Sequence, residues 1–300
     1  FIYPRLAKTI FPEMEKNYDV FHAMSPHTLS GGRPKMPTMI SIHYLVSRQA
    51  MMLGRYLPLK YKIYFNSASY HLFRIHERRG LNNADCITVS RQAYKNYLVE
   101  KMEIPEEKIE VVKYGIDYQF FRPSETKTDK EATAIYVGRG SLPKGFDTLV
   151  EAAPSIKGKI VAVAAQIPEF LQKKIAELDN FEVVSGISLE ELRQRYQESL
   201  VFIMPSLTEG SPISTLEAMA CGLPVVCTPE GSGEYIEEGV NGYIFDFKDS
   251  RALAEKVNYL FDNKKIAYEF GALNRKIVEN ELTLNTIGAQ IIDLYKKIST

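Results

Sequence analysis

From residue 134 onward the chain repeats one pattern: a short apolar run, a turn marked by glycine, proline or serine, then an amphipathic stretch. Apolar runs too short for helices, alternating with helical segments, build parallel sheets covered on both faces. The expected strands are Ala134–Val137, Lys159–Ala164, Glu182–Ser185, Leu200–Met204, Pro224–Cys227 and Gly242–Phe245. The expected helices are Phe146–Pro154, Pro168–Leu178, Ser188–Glu198, Ile213–Ala220, Gly233–Glu238 and Ser250–Asn263. Six strands with intervening helices complete one doubly wound, Rossmann-like domain. A long amphipathic helix, Leu284–Ile298, follows with no strand after it.

The first part of the chain carries a thinner version of the same α/β pattern. Its strand candidates are Val20–Met24, Thr38–His43, Cys86–Ser90 and Ile109–Lys113, with helices expected over Ala7–Lys16, Lys60–Arg78 and Arg91–Lys101. Ser90 stands where an N-cap for the last of these belongs. The polar stretch Pro123–Thr133 reads as a linker. Three hundred residues suit two domains. The expected division is 1–125, then 126–282, with 283–300 packing back on the first domain. Four strands without an opening strand–loop–helix unit, in a chain that starts at Phe1, lead us to expect a shortened or truncated first domain.

Composition narrows the function. The apolar runs, such as Ile160–Ala165, fall far short of the roughly 20 residues a membrane span needs. No signal peptide is readable, so a cytoplasmic location is expected. Cys86, Cys221 and Cys227 fit neither a disulfide framework nor a zinc site and are expected to be small buried hydrophobes. Net charge is zero, with 37 basic and 37 acidic residues, and no nucleic-acid partner is expected. The charge is unevenly spread, because Arg33 to Arg79 holds a run of basic residues against the single acid Glu77. With Arg55, Tyr56, Lys60, Tyr61, Lys62 and Tyr64, this stripe suits peripheral contact with an anionic membrane or a phosphorylated acceptor. It equally suits a solvated helical face.

Two constellations carry chemistry. In Tyr136-Val-Gly-Arg-Gly-Ser-Leu-Pro-Lys-Gly-Phe-Asp147, a strand ends at Gly138, a glycine-rich loop follows and a helix begins near Phe146. Loop amides at a helix N-terminus suit an anion, and Arg139 and Lys144 add the fixed cations that a diphosphate needs. The P-loop pattern fails because Phe146 follows Gly145, and the dinucleotide fingerprint fails because Pro143 occupies its third glycine. The second constellation runs from Pro205 to Pro224 and holds Glu209 and Glu217 with seven residues between them. Glu209 falls in a loop at the carboxyl end of a strand, and Glu217 about 6 Å along the following helix. Two acceptor-only carboxylates can then hold hydroxyls at two places on one extended ligand. No pair of histidines has metal-binding helical spacing, so no metal is expected.

These motifs resemble the retaining nucleotide-sugar glycosyltransferases of the GT-B fold, the group marked by a paired-glutamate E-x7-E motif. Glu209 to Glu217 fits that motif, and Val137-Gly-Arg-Gly with Lys144-Gly-Phe-Asp resembles the family's phosphate loop. Gly231-Ser-Gly-Glu and Gly239-Val-Asn-Gly-Tyr-Ile-Phe resemble its closing segment, while Lys113-Tyr114 stands where Pro-Asn is common. The resemblance implies two Rossmann-like domains facing across a cleft. It implies that Gly138, Arg139 and Lys144 meet the donor diphosphate, Glu209 the transferred sugar, and Glu217 the ribose. Gly210, Ser211, Pro212, Ile213, Ser214 and Thr215 would line sugar and phosphates, Gly186 and Ile187 the base, and His43 would face the sugar. Arg139, Lys144, Glu209 and His43 are thereby the expected catalytic set. The partners implied are a UDP- or GDP-sugar donor and a glycan, lipid-linked or other hydroxyl acceptor, with no cofactor. A nucleotide-sugar epimerase of the same fold, or a silent binding partner, remains the alternative.

Overall fold

The computed structural model describes residues 11–43, 45–56, 68–125, 129–210 and 212–300. The chain divides into two compact units, one formed by 1–114 with 285–300 and the other by 115–284.

In the first unit, β1 (Phe21–Ala23), β2 (Thr38–Ile42), β3 (Cys86–Val89) and β4 (Ile109–Val111) form a parallel sheet in chain order. Among the described residues its helices include α1 (Val46–Tyr56), α2 (Ala68–Asn82) and α3 (Gln92–Met102), and residues 11–14 are helical as well. Ile40, Ile42, Ile87, Val89 and Ile109 meet Leu29, Leu45, Leu81, Leu98 and Met102 in one apolar core. The other face is mixed, with buried Met39 and Cys86 paired in register beside polar side chains. Ser41 pairs in register with Thr88, and Thr88 with Glu110, while His22 Nε2 and Ser41 Oγ are 2.7 Å apart. The late helix Leu284–Ser299 serves this face, with the Tyr295 hydroxyl 2.7 Å from His22 Nδ1 and Lys297 donating to Glu110 at 2.7 Å.

In the second unit, six parallel strands run β5 (Thr133–Arg139), β6 (Lys159–Ala165), β7 (Phe181–Val184), β8 (Val201–Met204), β9 (Val225–Cys227) and β10 (Gly242–Ile244). Their spatial order is β10-β9-β8-β5-β6-β7. The helices are α4 (Phe146–Ala152), α5 (Glu169–Ile175), α6 (Leu189–Glu198), α7 (Ile213–Ala220), α8 (Pro229–Ser232), α9 (Ser250–Asp262) and α10 (Lys264–Glu281), and Leu284–Ser299 is α11. Tyr136, Phe146, Leu149, Ile160, Ile203, Leu253 and Val257 are fully buried members of its core. All three cysteines are buried.

Several expectations shift. The polar stretch 123–133 lies within the second unit and not at the division between the two. The chain is already tied to that unit upstream, since Ile116 N–H donates to Leu282 O and Arg275 holds the carbonyls of Tyr118 and Phe121. Arg91, not Ser90, takes the N-cap of α3, without a side-chain bond. The helix expected over Gly233–Glu238 is replaced by the earlier α8, where Thr228 accepts from Gly231 N–H and Pro229 starts the turn. The helices α1 and α10 were not anticipated. The start of the expected helix Lys60–Arg78, with Lys60, Tyr61, Lys62 and Tyr64, lies outside the described residues, as do the side chains of Arg55 and Tyr56.

Candidate active site

Strands β5, β6 and β7 step outward in one direction and β8, β9 and β10 in the other, so the sheet order reverses between β5 and β8. Open α/β sheets bind ligands at that reversal, beyond the carboxyl ends of the strands. Both glutamates and the glycine-rich loop hang from this place.

The loop after β5 passes exposed Arg139 and the 3-10 turn Leu142–Lys144 to Gly145. Gly145 has φ of 64°, and a Cβ there would lie 1.9 Å from Pro205 O, so only glycine lets the two loops close. Leu207 N–H donates to Pro143 O at 2.9 Å and fastens them. Lys144 Nζ consequently lies 2.6 Å from both carboxylate oxygens of Glu209. Glu209 is only 8% exposed, and Ser206 Oγ donates to its Oε1 at 2.7 Å. Lys144 and Glu209, expected to serve different parts of a ligand, are each other's partners. No hydrogen bond or ion pair engages the Arg139 guanidinium among the described residues; Tyr136 instead donates to the Arg139 carbonyl at 2.6 Å.

Helix α7 starts with Pro212 as N-cap, so the amides of Ile213 and Ser214 have no intrahelical partner. Ile213 is 52% exposed. Thr215 turns inward, its Oγ1 2.6 Å from Ser232 Oγ. Gly210 precedes the helix, and Ser211 lies outside the described residues. One turn in, Glu217 Oε2 accepts from the Tyr196 hydroxyl at 2.8 Å, and that hydroxyl is also 3.2 Å from Ser214 O. Burial raises the Glu217 carboxyl above its ordinary 4.5, against the lowering effect of Tyr196. Burial, followed by the Glu217 charge, pushes the Tyr196 hydroxyl well above its own ordinary value, so Tyr196 remains the donor.

The helix ends in a Schellman motif: Gly222 N–H donates to Met219 O and Leu223 N–H to Ala218 O, both at 3.0 Å, with Gly222 at φ 75°. Helix α10 braces that end. Arg275 Nη1 donates to Ala220 O and Asn274 Nδ2 to Leu223 O, each at 2.8 Å. Gly186 and Ile187 fall in the turn after β7, just before the Ser188–Glu191 capping box that starts α6, the helix carrying Tyr196.

The sequence reading missed Ser206, Tyr196 and the bracing helix α10. Ser206 was open to discovery, three residues before Glu209 in the same loop; Tyr196 reaches Glu217 only through the fold.

His43 lies in the first unit, just past β2. Its Nδ1 is hydrogen-bonded to the Tyr114 hydroxyl, with the ring centroids 5.3 Å apart. Burial lowers the His43 pKa from its ordinary 6.5. Among the described residues, no group of three or more His, Cys, Asp or Glu could hold a metal, and no helix is long and apolar enough to cross a membrane.

Residues 117–277 match the family model described as glycosyl transferases group 1, and residues 1–120 match glycosyltransferase family 4. An alpha-maltose-1-phosphate synthase of Mycolicibacterium smegmatis is 28% identical over 74% of the chain and 66% of that protein. A GDP-mannose-dependent alpha-(1-6)-phosphatidylinositol monomannoside mannosyltransferase of Mycobacterium tuberculosis is 27% identical over 64% of the chain and 57% of that protein. The chain therefore spans less than two thirds of either relative. The crystal structure of Anabaena HepE in complex with UDP-glucose superposes with a TM-score of 0.80 at 18% identity, over 98% of this chain and 82% of that one. That likeness shows the fold.

Proposed function

This chain belongs to the glycosyl transferases group 1 family, and we propose that it transfers a glycosyl unit from a nucleoside-diphosphate sugar to an acceptor hydroxyl with retained anomeric configuration. The observation that carries the reading is the gathering of Lys144, Glu209 and the amino end of α7 at the reversal of the second sheet. Lys144 and Arg139 take the donor diphosphate and meet the charge that grows on it as the glycosidic bond breaks. The diphosphate competes with Glu209 for Lys144, and the released carboxylate accepts from hydroxyls of the sugar. Glu217, held by Tyr196 through Oε2, offers Oε1 to the ribose. The amides of Ile213 and Ser214 add fixed positive dipole ends. The reaction needs no metal in this reading, because the two cations and the helix terminus supply the charge.

For the acceptor we propose a glycan or another hydroxyl compound, lipid-linked species included, with peripheral contact at an anionic membrane. The support is α2, which exposes Leu72, Phe73 and Ile75 on a helix that also carries Arg74, Arg78 and Arg79.

A thermal-shift screen against UDP, GDP, ADP and their sugars tests the donor site. A ligand at 100 times its dissociation constant stabilises by about 2.7 kcal/mol. Lys144→Ala should abolish the shift, whereas Lys265→Ala, at a side chain 90% exposed, should keep it. Silence from every nucleotide, or an undiminished shift in Lys144→Ala, overturns the site. With a responding donor, the anomeric coupling in the product's proton spectrum distinguishes retention from inversion, and an altered sugar nucleotide without glycoside would point to an epimerase.

A further inference from the structure

The strands β2 and β4 flank β3, and the residues just past their carboxyl ends meet across it: His43 from β2, Tyr114 from β4. We propose that Tyr114 is the positioning residue for His43: its hydroxyl donates to Nδ1, fixes the imidazole as the Nε2–H tautomer, and leaves His43 one outward donor for the sugar of the nucleotide-sugar substrate. The inference rests on the reading of His43 as a sugar-facing group.

The direction of the bond follows from satisfaction. A neutral imidazole has one donor nitrogen and one acceptor nitrogen, and a tyrosine hydroxyl has one proton to give. Were Nδ1–H the donor, the Tyr114 proton would have no acceptor among the described residues, on a half-buried side chain. With Tyr114 donating, both groups are satisfied and Nε2–H of His43 is the group left over. No hydrogen-bond partner of Nε2 is found among the described residues. Burial keeps Tyr114 protonated and His43 neutral, and both effects favour this arrangement.

The neighbouring histidine shows the contrast. His22, on β1, has both ring nitrogens engaged, by Tyr295 and by Ser41, each at 2.7 Å, and so presents nothing outward. Electrostatically, His43 opposes a charge on His22, and Tyr94 of α3 opposes one on Tyr114. The Arg48 guanidinium of α1 sits 4.2 Å over the Tyr94 ring.

The test uses the whole chain labelled with ¹⁵N-histidine, whose five histidines include His43, assigned by loss of its signals in His43→Gln. Nδ1 of His43 should resonate as an acceptor nitrogen and Nε2 as a protonated one. Tyr114→Phe, which keeps the ring, should mix the tautomers and raise the His43 pKa, because a donor to the neutral form is lost. The tautomer of His22, held by Tyr295 and Ser41, should not change. Calorimetry with UDP and UDP-glucose, or GDP and GDP-mannose where those bind instead, reads the consequence. Tyr114→Phe should leave the nucleoside diphosphate's affinity unchanged and cut the sugar's added affinity about fivefold, the worth of one hydrogen bond. A protonated Nδ1 in the unaltered protein, or an unchanged tautomer in Tyr114→Phe, overturns the proposal whatever binds. If the tautomer is as stated but His43→Gln leaves the sugar's contribution intact, Tyr114 still positions His43 and the sugar-facing role of His43 is what fails.

Discussion

Glu217 is a carboxylate that folding does not favour in its charged form. Burial raises its pKa above 4.5, so its contribution to stability is full below pH 4.5 and is lost as pH climbs through the raised value. Glu217→Gln keeps an acceptor for Tyr196 and removes the charge. Chemical denaturation at pH 7 should find the variant more stable by about 1 kcal/mol, the usual scale when a strained functional residue is relieved. The two proteins should converge near pH 4, and the variant should bind nucleotides more weakly. Equal stability at pH 7 would show that the charge is not strained. At this scale the sequence disclosed which residue types gather but not their pairings. Nothing in the spacing of Glu209 and Lys144, 65 positions apart, says that the two share an ion pair. That pairing follows from β5 and β8 lying side by side, which is a property of strand order.

The elements were legible where local chemistry marks them. All six strands of the second sheet announce themselves as apolar runs between turn residues, and α7 spans the expected Ile213–Ala220 because proline opens it and Gly222 closes it. Helix α10 was missed because a glycine interrupts its middle, and that glycine is there for packing. A Cβ on Gly271 would lie 2.0 Å from Gly222 O, where α10 crosses the end of α7. Gly271→Ala should force the two helices apart, costing about 1–3 kcal/mol as an overpacked contact does. For a unit of this size the midpoint of thermal unfolding should fall by about 2–4 °C per kcal/mol. The same change should weaken nucleotide binding although it touches no ligand, because α7 carries Glu217. Calorimetric titration of the variant with the responding nucleotide would show an unaltered affinity if α10 were only a scaffold.

Over the whole molecule, the α/β class was written in the alternation of elements, but the point at which the chain passes from one unit to the other was not. A polar stretch looks like a linker whether it joins two units or belongs to one, and 123–133 falls within the second unit. Leu72, Phe73 and Ile75 of α2 are each close to half exposed, in the portion of the chain where residues 1–125 hold 18 basic and 12 acidic residues. Vesicles of anionic phosphatidylglycerol should therefore sediment the protein, neutral phosphatidylcholine vesicles should not, and Leu72→Ser with Phe73→Ser should weaken the binding at least tenfold, the two losing roughly 3 kcal/mol of apolar burial. Equal sedimentation of the double variant would exclude this helix as the contact.

The placement of α11 also bears on how the chain is made. Residues 285–300 complete the first unit, yet they leave the ribosome only after all of 115–284. At about 5–20 residues per second that delay is on the order of ten seconds or more. Throughout it, the side chains of the nascent sheet that α11 meets lack that partner. Beside Met39 and Cys86 that face of the sheet carries His22, Ser41, Thr88 and Glu110, side chains that water can satisfy, and α11 meets it with Tyr295 and Lys297. An apolar face held open for as long would offer other chains and chaperones something to seize. Polar docking contacts let the nascent first unit wait for α11 in water.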